Sequence, residues 1–235
     1  MANPWESFGK IYCINLVERD DRRAYCRKIF EKLKIPVEFY RVNKHPNGGA
    51  QGCFESHINV IKRAFDQGRE NVVIFEDDVA PFKINKKRLR EVTDFLNNYE
   101  WDIFYLGLCP HFFTHPRRVN KNIYELRNSC THAYILNRPY MDRLKDLKFD
   151  GTPIDTFYCH DKSRSAGIYP SLFYQNNFRS DIQDGASSWE NFVQNNKPAL
   201  MHNYELFIFY RFEYLAAILF ASFCVLAFIF GRKRR

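Results

Sequence analysis

The amino-acid sequence predicts an α/β fold with a mostly parallel central sheet, followed by a C-terminal transmembrane helix. Three observations carry that expectation. Short apolar runs alternate with stretches of helical period along the first 150 residues. One run, VVIF at 72–75, is apolar without alternation, the pattern of a central strand covered on both faces. Near the end, residues 214–230 carry no charge, are apolar all round and lead into the basic RKRR.

Residues 10–16 (KIYCINL) read as the first strand, and the charged ERDDRR that follows opens a helix reaching Lys32. Ile35, Val37, Phe39 and Tyr40 mark a second strand after Pro36. Phe54, Ile58, Ile61 and Phe65 recur at helical spacing and predict a helix over 52–65. Residues 71–75 (NVVIF) form a strand that ends abruptly in Glu76, Asp77 and Asp78. A helix over 85–98 leads into a strand within 101–107 (WDIFYLG). Residues 131–136 (THAYIL) are a further strand, and 139–147 a helix. The polar stretch between Cys109 and Ser129, with Pro110 and Pro116, reads as a loop able to act as a lid. The chain divides into a globular part, 1–205, and an anchor with a short basic tail, 206–235.

Composition narrows the function. With 46% hydrophobic and 26% charged residues a packed core forms and wholesale disorder is excluded. Seven cysteines without a CxxC pair are neither a disulfide framework nor a zinc ribbon, and they suit a reducing compartment. Cys130, His132, Cys159 and His160, like His111 and His115, lack zinc-finger spacing and read as packing or loop residues. The net charge is +8, but residues 206–235 hold five basic side chains against one acidic, so the globular part carries only +4. That suits a phosphorylated small ligand and argues against nucleic acid.

At about 1.5 Å per residue the uncharged run spans roughly 25 Å, slightly less than a hydrocarbon core. Residues 207–210 extend it if Arg211 and Glu213 reach the headgroups or pair with each other, with Tyr210 and Tyr214 in an aromatic belt. The basic end favours a domain across the membrane, whereas the N-terminal segment lacks the pattern of a secretory signal. Together with the cysteines, the missing pattern gives the expectation of a single-pass C-terminal anchor and a cytosolic domain.

The most informative segment is VVIFEDDV, 72–79. It sets three carboxylates at the C-terminal end of a central strand, where ligands bind in open α/β sheets. Pleating points Glu76 and Asp78 one way and Asp77 the other. A hard divalent cation, manganese or magnesium, relieves their repulsion and stabilises a departing diphosphate. Asp102 reads as a strand-starting residue. Gly107 ends its strand without a side chain and leaves room for a ligand. Asp155 is placed either to act as a general base or to cap a helix.

The ordered segments INLVERDDRR, GCFESH, VVIFEDDV, WDIFYLG, THAYIL, PIDTFY and SDIQ resemble glycosyltransferase family 25. That family includes bacterial lipooligosaccharide galactosyltransferases and collagen hydroxylysine galactosyltransferases. The resemblance runs from Lys10 to Gln183 and implies a GT-A type nucleotide-sugar-binding fold. It also implies a UDP-sugar donor, galactose before glucose, and a glycan, protein or collagen-like acceptor. A manganese-type metal would be held by Glu76, Asp78 and Asp181, with Asp155 as the base. Asn15, Arg19, Arg22, Gly52, Ser56, His57, Glu76, Asp77 and Gly107 would border the donor. Gln183 departs from the collagen galactosyltransferases of that family, which have an acidic residue there. The rival readings are a catalytically inactive sugar-nucleotide-binding module at a membrane and a metal-dependent nuclease.

Overall fold

The computed structural model describes residues 3–176 and 197–232. After a 3-10 turn at Pro4–Phe8 the elements are β1 (Lys10–Leu16), α1 (Asp20–Leu33), β2 (Val37–Val42), α2 (Gly49–Asp66) and β3 (Asn71–Glu76). There follow β4 (Val79–Pro81), α3 (Lys86–Asn98), β5 (Ile103–Tyr105), β6 (Arg117–Arg118), β7 (Ile123–Glu125) and β8 (Ala133–Asn137). The chain continues through α4 (Arg138–Leu144), α5 (Ile154–His160), β9 (Ser165–Ile168), β10 (Phe173–Gln175) and α6 (Lys197–Arg232).

One sheet has the order β2-β1-β3-β8-β5-β9-β7-β6, and β4 pairs with β10 in a separate two-stranded piece. β1 lies parallel to both β2 and β3, and β5 is parallel to β9. β8 runs antiparallel between β3 and β5, and β7 antiparallel between β9 and β6. Six of the eight strands therefore point one way, as expected, with β7 and β8 reversed. The reversal of β8 follows from no sequence signal, because a strand buried on both faces reads alike in either direction.

Pleating sorts the core into two layers. Val73 and Phe75 of β3 face α1, α3 and the 3-10 turn, meeting Phe30, Val92 and Trp5. Val72 and Ile74 face α2, α4 and α5, meeting Ile58, Tyr140 and Tyr158. All four β3 side chains are fully buried. The Asn85 and Asn137 side chains accept from the Arg88 and Tyr140 amides at 3.0 and 2.9 Å, starting α3 and α4 where the sequence places them.

The stretch 109–129 differs from expectation. It carries the β6–β7 hairpin, whose second strand extends the main sheet beside β9. Ile123 and Leu126 are buried beneath it, two apolar anchors that the polar composition conceals. Asn128 accepts from the Cys109 amide at 2.6 Å, closing the base of the segment.

Helix α6 passes the expected division after residue 205 without a break, and Ile208 is buried against the domain. Among the described residues no helix is long and apolar enough to cross a membrane. The side chains of 223–230, the heart of the run expected to do so, lie outside the described residues.

Glu205 docks α6. Fully buried, it accepts from the Tyr174 hydroxyl at 2.8 Å, from the Ser171 hydroxyl and from the Ser171 amide at 3.4 Å. His202 reaches the same Tyr174 hydroxyl at 3.0 Å, and Arg88 faces the cluster from α3. Burial raises the Glu205 pKa to about 7, against the opposing bonds from Ser171 and Tyr174 and the charge of Arg88. The folded chain thus keeps a proton that the unfolded chain releases near 4.5. Stability from this group is greatest below that value and falls as pH rises toward 7. Glu205→Gln is expected to remove this loss, on the order of 3 kcal/mol, seen as a smaller drop in Tm between about pH 5 and about pH 8.

Candidate active site

β3 carries its acids to the end of the sheet where β1 and β2 also terminate. The Glu76 amide donates to the His132 carbonyl at 3.0 Å, and the chain then turns through Asp77 and Asp78 into β4. The Asn176 amide fixes that turn by donating to the Asp78 carbonyl at 2.5 Å.

Asp77 points toward α1. It accepts from the Arg22 guanidinium at 2.9 Å and from the Asn15 amide at 2.8 Å, while its carbonyl faces the Cys26 thiol at 3.1 Å. Both partners of the ion pair are nearly buried. Burial raises the Asp77 pKa, and Arg22 and Asn15 oppose that rise. Asn15 and Arg22, expected at the nucleotide, are thus engaged with Asp77. Arg19 occupies the N-cap position of α1 without a capping bond from its side chain, which closes on Asp21 at 2.9 and 3.0 Å.

Glu76 points the other way, toward α2, as the pleat requires. It accepts from the Thr131 hydroxyl at 2.7 Å and lies 3.6 Å from His57 Nε2. The other His57 nitrogen, Nδ1, sits 2.7 Å from the Tyr134 hydroxyl, and the two rings stack. Burial disfavours the charged form of Glu76, but His57 and Thr131 outweigh it and hold the carboxyl below its ordinary range. Thr131 and Tyr134 were not among the expected site residues. The available signal was a polar residue at the head of an apolar strand, where the side chain must meet a neighbouring strand end.

α2 supplies the floor. The Ser56 hydroxyl donates to the Gly52 carbonyl at 2.5 Å, inside the helix. A Cβ on Gly52 would meet that of His45 at 2.8 Å, so this glycine permits a close chain approach. Between them, the Cys53 thiol is pushed up, first by burial and then by the fields of Glu76, Asp155 and Asp78. Three expected carboxylates thus bear on one thiol. Asp155 is partly exposed in the first turn of α5, where Pro153 takes the N-cap position and Asp155 accepts from the Thr156 amide at 2.7 Å.

The remaining candidates separate clearly. A Cβ on Gly107 would lie 2.0 Å from His132 Nε2, so the space before Gly107 holds a protein side chain. Asp102 is gripped by the Arg164 side chain at 2.8 and 3.3 Å and by its amide at 2.8 Å, which fits a strand-starting role. Asp181 lies outside the described residues. Among the described residues no group of three His, Cys, Asp or Glu side chains is placed to hold a metal ion. Asp77 is paired to Arg22, and the carboxylates of Glu76 and Asp78, one residue to either side of it, are a hard oxygen set of the kind that suits magnesium or manganese completed by ligand oxygens. Surface recesses of about 630 Å³ beside Tyr99 and Arg164, and about 450 Å³ beside Phe112 and Phe207, contain none of the expected site residues.

A family model described as "Glycosyltransferase family 25 (LPS biosynthesis protein)" matches residues 41–157. Procollagen galactosyltransferase 1-B of Xenopus laevis is 23% identical, over 80% of this chain and 40% of its own. The lacto-N-neotetraose biosynthesis glycosyltransferase LgtB of Neisseria meningitidis serogroup B is 25% identical, over 61% of this chain and 65% of its own. The chain thus spans about 40% of the length of the procollagen galactosyltransferases it matches. Among solved structures, the catalytic domain of Drosophila beta1,4galactosyltransferase 7 in complex with xylobiose superposes with a TM-score of 0.40 at 8% identity, over 79% of each chain. UDP-glucose pyrophosphorylase complexed with UDP-glucose gives 0.43 at 10% identity, over 81% of each.

Proposed function

The chain belongs to glycosyltransferase family 25, and from that premise we propose that it transfers a hexose, galactose before glucose, from a UDP-sugar to a hydroxyl of a glycan or protein acceptor. The observation that carries this reading is the end of β3, where Glu76 is held by Thr131 and His57, and Asp77 by Arg22 and Asn15, on either side of the turn into Asp78. In the proposed site Glu76 and Asp78 hold a divalent cation, manganese first and magnesium second. When bound, that ion neutralises the charge that builds on the departing UDP. Thr131 and His57 keep Glu76 ionised and fixed in direction, so it offers oxygen rather than a proton. Arg22 and Asn15 hold Asp77 and thereby set the turn that presents Asp78.

Asp155 takes the proton of the attacking hydroxyl as its oxygen reaches the anomeric carbon, which inverts that carbon. Its partial exposure suits a group that must meet an acceptor arriving from solvent. The test is a panel of nucleotide sugars incubated with the full chain in detergent micelles and manganese, with UDP release measured. One UDP-hexose is expected to dominate, and Asp155→Asn to lower kcat by about 10²–10⁴-fold with the donor KM little changed. An Asp155→Asn variant of parental kcat would remove the base assignment.

We also propose that residues 214–230 anchor the chain in a membrane, a reading supported by their uncharged sequence and the basic residues after them. Seven cysteines without a CxxC pair support placing the domain on the reducing, cytosolic side. Protease protection in sealed vesicles tests that orientation.

A further inference from the structure

We infer that the loop bearing Phe112 and Phe113 is a second lipid-contacting element, seated on α6 so that its rings enter the same bilayer surface as the apolar run beyond. The inference rests on the membrane anchor proposed above and adds to it a contact made by the globular part.

The loop is fixed to one stripe of the helix. The Tyr204 hydroxyl donates to the Pro110 carbonyl at 2.7 Å. Arg211 donates to the Phe112 and Thr114 carbonyls, each at 2.5 Å, and its guanidinium lies 5.9 Å from the centre of the Phe112 ring. The Phe112 ring also stacks along Phe207 at 6.4 Å. Tyr204, Phe207, Arg211, Leu215 and Ile218 follow one another at three- and four-residue steps, so they share a face. Glu205 and Ile208 lie on another face, buried in the domain. The helix is therefore held between the domain and this loop just before its uncharged run begins.

The loop presents apolar surface to the outside. Phe113 is 76% exposed and Phe112 51%, beside Phe207 at 46%. Together with Leu215 and Ile218 they line a single recess of about 450 Å³. Leu215 and Ile218 belong to the uncharged run, so the phenylalanine pair reaches alongside its first turns. Isolated exposed apolar side chains are ordinary, but a contiguous group of this kind marks a contact surface.

Continuity selects a lipid surface as the occupant. The patch merges with the segment proposed to enter the bilayer, and its aromatic rings stand where rings concentrate at membrane boundaries. Arg211 rims the recess at headgroup level, with a cation suited to lipid phosphate. Two contacts, helix and loop, would stop the domain from swivelling about α6 and fix which way the end of β3 faces.

The test places the full chain in phosphatidylcholine vesicles whose acyl chains are brominated, with Phe113→Trp as the reporter. Position 113 is open to solvent, so the larger ring does not disturb the core. The added indole is expected to emit at shorter wavelength and to lose roughly half its emission to bromine, beyond the loss seen for the parent chain. Parental quenching in a chain that still sediments with the vesicles would overturn the loop contact and leave the anchor standing. Failure to sediment with vesicles would overturn both. A shielded indole that responds to protein concentration and not to bromine would assign the patch to a second copy of the chain instead.

Discussion

Asp78→Asn is expected to lower UDP release from a UDP-hexose by about 10²–10³-fold, with the folded chain retained. The substitution removes one negative oxygen from the pair proposed to hold the cation and leaves Glu76 to act alone. Glu76 cannot adjust to compensate, because Thr131 and His57 fix its direction. The control is Asp77→Asn, one residue away. Asp77 faces α1 and is spent on Arg22, so this change is expected to alter stability more than turnover. Full turnover by Asp78→Asn would refute the cation assignment, and equal losses in both variants would mean that the turn as a whole, rather than Asp78, had been damaged.

Arg22→Met is the substitution with the largest expected effect on stability, a loss of about 3–5 kcal/mol. The methionine fills most of the volume of the stem but leaves Asp77 buried without its cation, and Asn15 alone does not replace a guanidinium. Adding Asp77→Asn removes the stranded charge and is expected to recover much of the lost stability. Urea titrations of the two single variants and the double variant give the coupling directly. Additive losses would show that the pair contributes nothing beyond its separate contacts.

The contrast between these two acids marks the limit of what the sequence discloses. The strand leading to them was legible, because four apolar residues followed by three acids describe a buried strand reaching a ligand edge. The opposed directions of Glu76 and Asp77 followed from the pleat. The chain turns after Glu76, however, so Asp78 is placed by the turn and by Asn176 rather than by alternation. Nor does any local pattern pair Asp77 with Arg22, which lies 55 positions earlier. That contact depends on how α1 lies over β3.

The same reasoning accounts for the fold. β1 matches its sequence reading residue for residue, and α1, α2 and α3 agree within a few positions, because their apolar periods are long enough to define a face. β4, β9 and β10 went unread: each is three or four residues long, too short for any period to show. A glycine at the end of a strand suits an opening for ligand, yet it serves equally well where another side chain approaches, and at Gly107 His132 does so. Only the packed neighbours distinguish the two.

The most direct measurement is calorimetric titration of UDP into the full chain, with and without manganese, repeated for Asp78→Asn. If Glu76 and Asp78 join the diphosphate through a cation, manganese should tighten UDP binding at least about tenfold in the parent and leave Asp78→Asn unchanged. Equal UDP affinity with and without the ion, or an undiminished manganese effect in Asp78→Asn, would contradict the assignment of the end of β3 as the donor site.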